Sequence, residues 1–588
     1  MIKNFYEILD KKQKYKFIIV FFGMLITAFL EMLSLSLIPL FISAIVDLKG
    51  LISYLPSLQF FFLNYDQKEI IVFGSFLLVV IFLLKNSMLV FQYYNENSLI
   101  MNLNKSFSVK LFRNYLNSSY LFYISKNTGF FIRNLTSEVN NSVSLAYSFL
   151  VLSREGLVTF VIIVILFLRS PSITILLFLI LISTTIFFFR KYKTKIKKTS
   201  LFNQELRSSQ MQLINQSFGL FKTVKMFNIE KILSNKFDDL TLKKEKGDFY
   251  LRFIKQIPRL LFELIAVTSL LLVCLFLLIF YSGENILIIL STIAIAVIRL
   301  VPAFNSITSA LAGINQLTVS FKTIYPELNN NKDYKNEYLN YNQPSNKRFI
   351  ESFKSISLEN VNFKYDGQKD FFIKNLSIKI NKGENIAIVG KSGSGKTTFV
   401  DIIIGLLKIN SGNYILNGEN FLNPVRYWRS KVGYVAQDVY LIDDTIKSNV
   451  SFSEFDFNED INKKILEALK KSAINQFIQQ LPKKELTRVG ERGMALSGGQ
   501  RQRLAFARAI YNNPEVIIMD EATSALDEET EQEVLRSLET IKQDKTLFII
   551  THKPKTILSM DKVIFMENGE IKFFGNKEEY FKRYNIQK

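Results

Sequence analysis

Six stretches of the chain stay apolar over the roughly 20 residues needed to cross a bilayer. They lie near 17–46, 70–94, 142–168, 171–190, 258–281 and 285–312. The first, third and last carry polar residues inside the apolar run, which predicts that they face a cavity or one another. The connections alternate in character. Segments 95–141 and 191–257 are long, polar and lysine-rich, whereas the links near 169–171 and 282–284 are very short. The long segments are too extended and too periodic for plain loops. The pattern predicts helical extensions of the flanking spans, joined by tips at Tyr120–Thr128 and Gln216–Met226 that pass force to the second half of the chain. On the opposite side only 47–69 is sizeable. Its aromatic run, Phe60-Phe61-Phe62-Leu63, suits either a helix on the membrane surface or an ordinary packed loop.

After this the texture changes. Residues 322–352 are rich in Asn, Lys and Tyr without an apolar period, which predicts a linker. From 353 to 588 short β-branched strands alternate with helices and glycine turns, the pattern of an α/β domain. Residues 1–321 form the all-α transmembrane half.

Charge and cysteine content narrow the picture. The formal net charge is +21. Many lysines stand directly beside apolar runs, as in Lys11-Lys12-Gln13-Lys14 and Lys191-Tyr192-Lys193-Thr194-Lys195. That is the positive-inside bias of a membrane protein, not a basic face for nucleic acid. The lysine-rich side is expected to be cytoplasmic, with both termini and the α/β domain inside a cell (inner) membrane crossed several times. The single cysteine, Cys274, excludes an intrachain disulfide and a metal–cysteine cluster, and its apolar setting predicts a buried inert thiol. No small-residue cleavage site follows the first apolar run, so it is expected to be a retained span.

The chemistry lies in the second half. Gly390-Lys391-Ser392-Gly393-Ser394-Gly395-Lys396-Thr397-Thr398 matches the phosphate-binding loop in full. It follows a strand, Asn385–Val389, and opens a helix, Phe399–Leu407. Glycines let backbone N–H groups approach phosphates, and the helix N-terminus adds its dipole. Lys396 is expected on the β- and γ-phosphates of ATP and the Thr397 hydroxyl on Mg²⁺. Downstream, the apolar run Val516–Met519 ends in Asp520 and Glu521. Asp520 is placed to hold Mg²⁺ through water, and Glu521 to polarise the attacking water.

Leu496-Ser497-Gly498-Gly499-Gln500, about twenty residues before Asp520, resembles the signature motif of ABC ATPases. The rest of that family's pattern follows in order. Tyr365 resembles the aromatic that stacks on adenine. Gln437 resembles the glutamine that reaches Mg²⁺ and the membrane domain. Gly490-Glu491-Arg492-Gly493 resembles the cross-talk loop of exporters, and Ser524-Ala525-Leu526-Asp527 the D-loop. His552, the one histidine, falls where the family has its switch histidine, which implies contact with the γ-phosphate and help for Glu521. Lys553-Pro554-Lys555 departs from the usual run after it. The resemblance implies that the signature motif of one ATPase domain faces the phosphate loop of another. One chain carries one full set, so the simplest expectation is a homodimer with two composite ATP sites; a heterodimer stays open. The expected fold is an all-α six-helix transmembrane domain followed by an α/β P-loop ABC ATPase domain, in the exporter arrangement.

Charges within spans point to cargo, because each is costly there unless paired or hydrated. They are Glu31, Lys85, Arg154, Glu155, Glu263 and Arg299, with Arg259 at a span edge. One reading is ion pairing, for instance Glu263 with Arg299. The other is that Lys85, Arg259 and Arg299 line a cavity for an anionic head group such as a pyrophosphate. Phe29-Leu30-Glu31 with Pro39-Leu40-Phe41, Ile257-Pro258-Arg259 with Glu263, and Ile298-Arg299-Leu300-Val301-Pro302 are similar to the bacterial flippases of lipid-linked oligosaccharides used in protein N-glycosylation. That resemblance implies transfer of a polyprenyl-pyrophosphate-linked glycan from the inner to the outer leaflet. Export of a peptide, drug or simple lipid is the alternative, and a non-transporting ATP-gated channel or regulator a further one.

Overall fold

The computed structural model describes residues 2–46, 66–169, 171–280, 286–329, 352–421, 426–452, 459–521, 528–541 and 545–584. The chain divides into two units. One holds residues up to Ser118 and Lys126–Tyr334; the other holds Lys335–Lys588 together with the short segment Ser119–Ser125.

The first unit is helical: α1 (Ile2–Ile8), α2 (Lys11–Val46), α3 (Gln67–Leu116), α5 (Thr128–Arg133), a π-helical turn (Asn134–Glu138), α6 (Val139–Arg169), α7 (Pro171–Gly219), α8 (Phe221–Phe227), α9 (Glu230–Phe280) and α10 (Ile286–Asn329). The helix α4 (Tyr120–Ile124) belongs to the second unit. Four described segments are long and apolar enough to cross a membrane by length and composition: Lys11–Ile42, Gln67–Leu116, Thr128–Leu168 and Val297–Asn329. The expected span at 171–190 falls within the continuous helix α7, and the described part of that at 258–281, residues 258–280, within α9. The polar segments between spans are helical too, because α3, α7 and α9 each run about 50 residues without a break. α10 continues to Asn329, through the first part of the expected linker. Linker residues 330–351, most of 47–69 and the segment Ser524–Asp527 lie outside the described residues.

The best-packed pair in this unit is α6 against α10. Where the helices leave the apolar zone, Phe5, Phe107 and Phe321 meet with ring centroids 5.9 and 5.6 Å from Phe5. These rings tie α1 to α3 and α10. Close approach of α2 and α3 depends on Gly23: a Cβ there would stand 2.0 Å from Gln92 Oε1. The Gln92 amide crosses to α2 and donates to the Val20 carbonyl at 3.0 Å. Cys274 is half-buried, not fully enclosed as expected, since its side of α9 is partly open.

Among the described residues the second unit has two sheets. An antiparallel one has the order β2-β1-β4-β5 (Ile373–Asn381, Ser355–Phe363, Ser411–Leu416, Glu419–Asn420). The other has the order β10-β9-β3-β8-β7-β6 (Glu570–Asn576, Lys562–Glu567, Asn385–Val389, Thr546–Ile550, Val516–Asp520, Val432–Val435). From β9 to β6 its pairs are parallel. Strands β3, β7 and β8 are buried along their whole length. Their side chains alternate between two cores. Ala387, Ile517 and Ile549 enter one, and Ile388, Ile518 and Phe548 the other. Continuous apolar runs such as Val516–Met519 are what a parallel sheet covered on both faces requires.

Candidate nucleotide site

In an open parallel sheet, ligands bind beyond the carboxyl ends of the strands. Here the ends of neighbouring β3, β8, β7 and β6 deliver, in that spatial order, the Gly390 loop, His552, Asp520 with Glu521, and Gln437. The expected ATP-site residues from four separate parts of the chain are thereby brought to one edge.

The loop Gly390–Gly395 joins β3 to the helix α11 (Lys396–Ile404). Gly390 has φ +154°, and a Cβ there would meet the Met566 carbonyl at 2.3 Å. No other residue fits that approach. Gly395, at φ +101°, starts α11. Lys396 is buried, and its ammonium donates to the carbonyls of Gly390 (2.8 Å) and Lys391 (3.0 Å). Burial pushes its pKa below the usual lysine range, while Glu521 and Asp520 pull the other way. The ammonium is thus held inside the loop that curls around phosphates in this motif.

Thr397 Oγ1 donates to Asp520 Oδ2 at 3.2 Å. Burial raises the Asp520 pKa and Glu521 adds to this; Thr397, Lys396 and Tyr434 oppose it. Tyr434, one strand over on β6, also bonds Asp520, and burial pushes its phenol well above the ordinary range. Glu521 sits at φ +47°, in the left-handed region, anchored by its N–H to the Ile550 carbonyl at 3.1 Å. Its carboxylate accepts from Gln437 Nε2 at 2.8 Å and lies 3.5 Å from His552 Nε2. Strain at a non-glycine carboxylate, held by three flanking groups, is the kind stored at functional sites.

These groups fit a magnesium nucleotide. Thr397, Asp520 and Gln437 supply oxygen donors for Mg²⁺, which would neutralise phosphate charge when bound. Lys396 and the backbone of Gly390, Ser392, Gly393, Ser394 and Gly395 would hold the phosphates, with Thr398 at the start of α11. Glu521 is positioned to orient a water, with His552 and Gln437 fixing its carboxylate. Tyr365 packs edge-on to Phe363 and Phe372, and its hydroxyl shares a 2.8 Å hydrogen bond with Thr398. It therefore stands beside the phosphate loop with its ring pinned.

The signature segment lies elsewhere in the domain. Ser497 caps the helix α12 (Gly498–Ile510). Its hydroxyl accepts from Gln500 N–H (3.2 Å), and the Gln500 carboxamide accepts from Ser497 N–H (2.8 Å). Arg501 clamps the preceding turn through the carbonyls of Gly493 and Leu496. The result is a rigid, solvent-facing helix N-terminus with Gly498 and Gly499 in its first turn, suited to phosphate. Sequence reasoning missed Tyr434 and Asp401. Asp401 is buried on α11, and burial followed by Asp520 pushes its pKa up to about 7. Tyr434 had one sequence signal, its place on the strand leading to Gln437.

Residues 373–524 match the family model described as ABC transporter. The matched residues lie within the second unit. The chain is 38% identical over 225 residues to a protein of Bacillus subtilis named as a multidrug export ATP-binding/permease protein, YgaD, and 37% identical over 225 residues to one so named in Staphylococcus aureus. Each alignment spans 38% of this chain and 38% of the relative. Across nearly its full length the chain folds like a bacterial Atm1-family ABC exporter solved with ATP bound: TM-score 0.78, 98% of this chain and 97% of that one, at 20% identity.

Of the membrane-half charges, two expected cargo residues come together. Lys85 and Arg299 both flank buried Glu31, at 3.5 and 2.7 Å. Arg299 is thus paired with Glu31 and not with Glu263, which is exposed on α9. Arg259 is exposed on α9 as well. Arg154 and Glu155 belong to a second buried group: Arg154 bonds Glu96 at 2.6 Å and approaches Glu155 at 3.3 Å.

Proposed function

We propose that this chain is an ATP-hydrolysing exporter or flippase, working as a homodimer in the inner membrane with its ATPase domains and both termini in the cytoplasm. The observation that carries this reading is the join of Lys396, Thr397, Gln437, Asp520, Glu521 and His552 at one sheet edge, in a chain whose other half is long apolar helices. The capped N-terminus at Ser497 faces solvent in the single chain, as a composite site shared with a second copy requires. The apolar tip around Phe221–Phe227, with Phe218, Phe221, Met226 and Phe227 exposed, offers a further contact for that copy.

The cargo we favour is a polyprenyl-pyrophosphate-linked oligosaccharide, moved from the inner to the outer leaflet. Two observations support it. Lys85, Arg299 and Glu31 together hold one net positive charge within the apolar zone, an attraction for an anionic head group. An apolar cavity of about 230 Å³, bordered by Gly156, Phe160, Phe178 and Phe304, suits a prenyl chain. Reconstituted vesicles given a lipid-linked oligosaccharide should show ATP-dependent movement between leaflets. No movement, with ATPase intact, would reject this cargo. Export of a drug, peptide or simple lipid is the second reading, favoured by the names of the relatives. It predicts ATPase stimulation by such compounds and indifference to loss of Lys85 or Arg299.

A further inference from the structure

His552 is the group at the nucleotide edge least held by its own side chain. Its imidazole is half exposed, and its polar contact among the described residues is Glu521, 3.5 Å away. Where the ring sits is therefore decided by the backbone that carries it. That backbone is anchored on both sides of His552. The Thr551 N–H donates to the Ile388 carbonyl of β3 at 3.2 Å. The buried Thr551 hydroxyl accepts from the Lys553 N–H at 3.1 Å, which closes a turn over His552. Pro554 then opens the helix Pro554–Leu558, where its preset φ and missing N–H suit the first position.

The second anchor comes from Glu531, on the helix Glu528–Ile541. One carboxylate oxygen accepts from Lys553 Nζ at 2.7 Å, and the other from Thr556 Oγ1 at 3.2 Å. The Glu531 side chain is 12% exposed and Thr556 is fully enclosed. A carboxylate at that depth needs partners, and a charge-assisted bond to lysine is among the stronger ones. Glu531 thus grips the residue after His552 and the next helical turn at once. Val534 and Leu538 seat its helix in the same core that takes Ile557 from the helix after His552, so the carboxylate is itself mounted on packed structure. Lys553 belongs to the run Lys553-Pro554-Lys555, the part of this segment that departs from the family pattern. Without its charge, Glu531 would keep the Thr556 hydroxyl as its remaining partner among the described residues.

We propose that Glu531 is a positioning residue for His552: by fixing Lys553 and Thr556 it sets the turn that holds the imidazole against Glu521. The proposal rests on the reading of His552 and Glu521 as the groups that orient the attacking water. Loss of Glu531 or of the Lys553 charge lets the turn relax. The hydrolytic step then slows, while the phosphate loop and its grip on ATP stay as they are.

The test uses the full chain, purified without a polyhistidine tag. His552 is its single histidine, so carbethoxylation by diethyl pyrocarbonate, followed as imidazole absorbance, reports on that ring alone. Glu531→Ala and Lys553→Met should each react faster than wild type in the absence of nucleotide, because the ring leaves Glu521. Their kcat should fall about 10-fold, with ATP affinity changed by less than about twofold. Lys553→Arg keeps the charge and should hold both readouts near wild type. Exchange of the pair, Glu531→Lys with Lys553→Glu, should recover most of what either reversal alone loses. Should Glu531→Ala fail to fold, Lys553→Met against Lys553→Arg carries the same comparison. Unchanged carbethoxylation in a folded Glu531→Ala or Lys553→Met, an equal loss in Lys553→Arg and Lys553→Met, or a fall in ATP affinity as large as that in kcat would overturn the proposal. His552→Ala separates it from the reading beneath. Turnover at the wild-type rate in that variant rejects the role of His552 itself, whereas an impaired His552→Ala beside an unimpaired Glu531→Ala rejects only the positioning by Glu531.

Discussion

Gln437 donates its carboxamide N–H to Glu521 at 2.8 Å, so a residue at the end of one strand sets the orientation of the candidate base at the end of the next. The Glu521 backbone is already in the left-handed region, and His552 approaches its other oxygen. Position here is a property of the sheet order, not of either residue alone. Glu521→Gln keeps the side chain's shape and removes its basicity. Hydrolysis should fall by about 100-fold or more, while ATP remains bound. Phosphate release and retained radiolabelled ATP measure the two halves of that statement. Unchanged turnover would remove Glu521 from the role of base.

Gln437→Ala should act differently. It leaves the base intact but frees its carboxylate to rotate. The expected loss is about 10-fold in kcat, with a smaller change in nucleotide affinity, and a steeper dependence on Mg²⁺ because an oxygen donor is gone. A titration of ATPase rate against Mg²⁺ at fixed ATP checks it.

Asp401 links the site to pH. Its carboxyl titrates near 3.8 in the unfolded chain and near 7 when buried. Between those values the folded state binds the extra proton, so stability falls as pH rises across the window and levels off above it. Asp401→Asn removes this cost. Without nucleotide or Mg²⁺, the melting temperature of the variant minus that of wild type should grow from pH 5 to pH 7.5. A flat difference would show that Asp401 is not the group responsible.

The candidate nucleotide site was legible as a cluster because its signals are local. Glycine spacing fixes the loop around Lys396, and an apolar strand ending in two acids fixes Asp520 and Glu521. The helical extensions were legible for a similar reason, since periodicity persists past the apolar runs. Other features depend on which elements become neighbours. Tyr434 reaches Asp520 because β6 lies beside β7, and no pattern along the chain encodes that order. Arg299 finds Glu31, nearly the whole helical unit away in sequence, through helix packing. The α2–α3 contact rests on one hydrogen atom at Gly23, which as a residue inside an apolar run resembles many others.

Glu31 gives a direct probe of the membrane-half charges. It is buried and neutralises one of two cations, Lys85 and Arg299. Glu31→Gln leaves both uncompensated in low dielectric, which is costly, and should lower the melting temperature. Under the flippase reading the extra positive charge also draws an anionic head group more tightly, so a pyrophosphate lipid should stabilise the variant more than wild type. Lys85→Met should reverse that preference. Thermal shifts with and without the lipid separate the two effects.

The Arg154–Glu96 pair supplies the sharpest test of packing. The two groups lie 2.6 Å apart and nearly sealed from solvent, and Gln92 completes the arrangement by donating to Glu96 at 3.1 Å. Arg154 also covers the Tyr93 ring at 4.9 Å. Removing one member leaves the other charge buried alone, at a cost of about 3–5 kcal/mol. Arg154→Met should therefore melt well below wild type, and Glu96→Gln, which keeps an acceptor for Arg154 but turns its NH₂ group toward the Gln92 amide, should lose less. The double variant Glu96→Leu with Arg154→Met removes both charges of the pair, and, as in the single Arg154→Met change, Glu155 loses its contact with Arg154. It should recover much of the stability of the single Arg154→Met change, with Gln92 still held by Val20. If the double variant instead loses the sum of the single effects, the pair is not coupled, and the buried network does not hold α3 to α6 in the way its geometry implies.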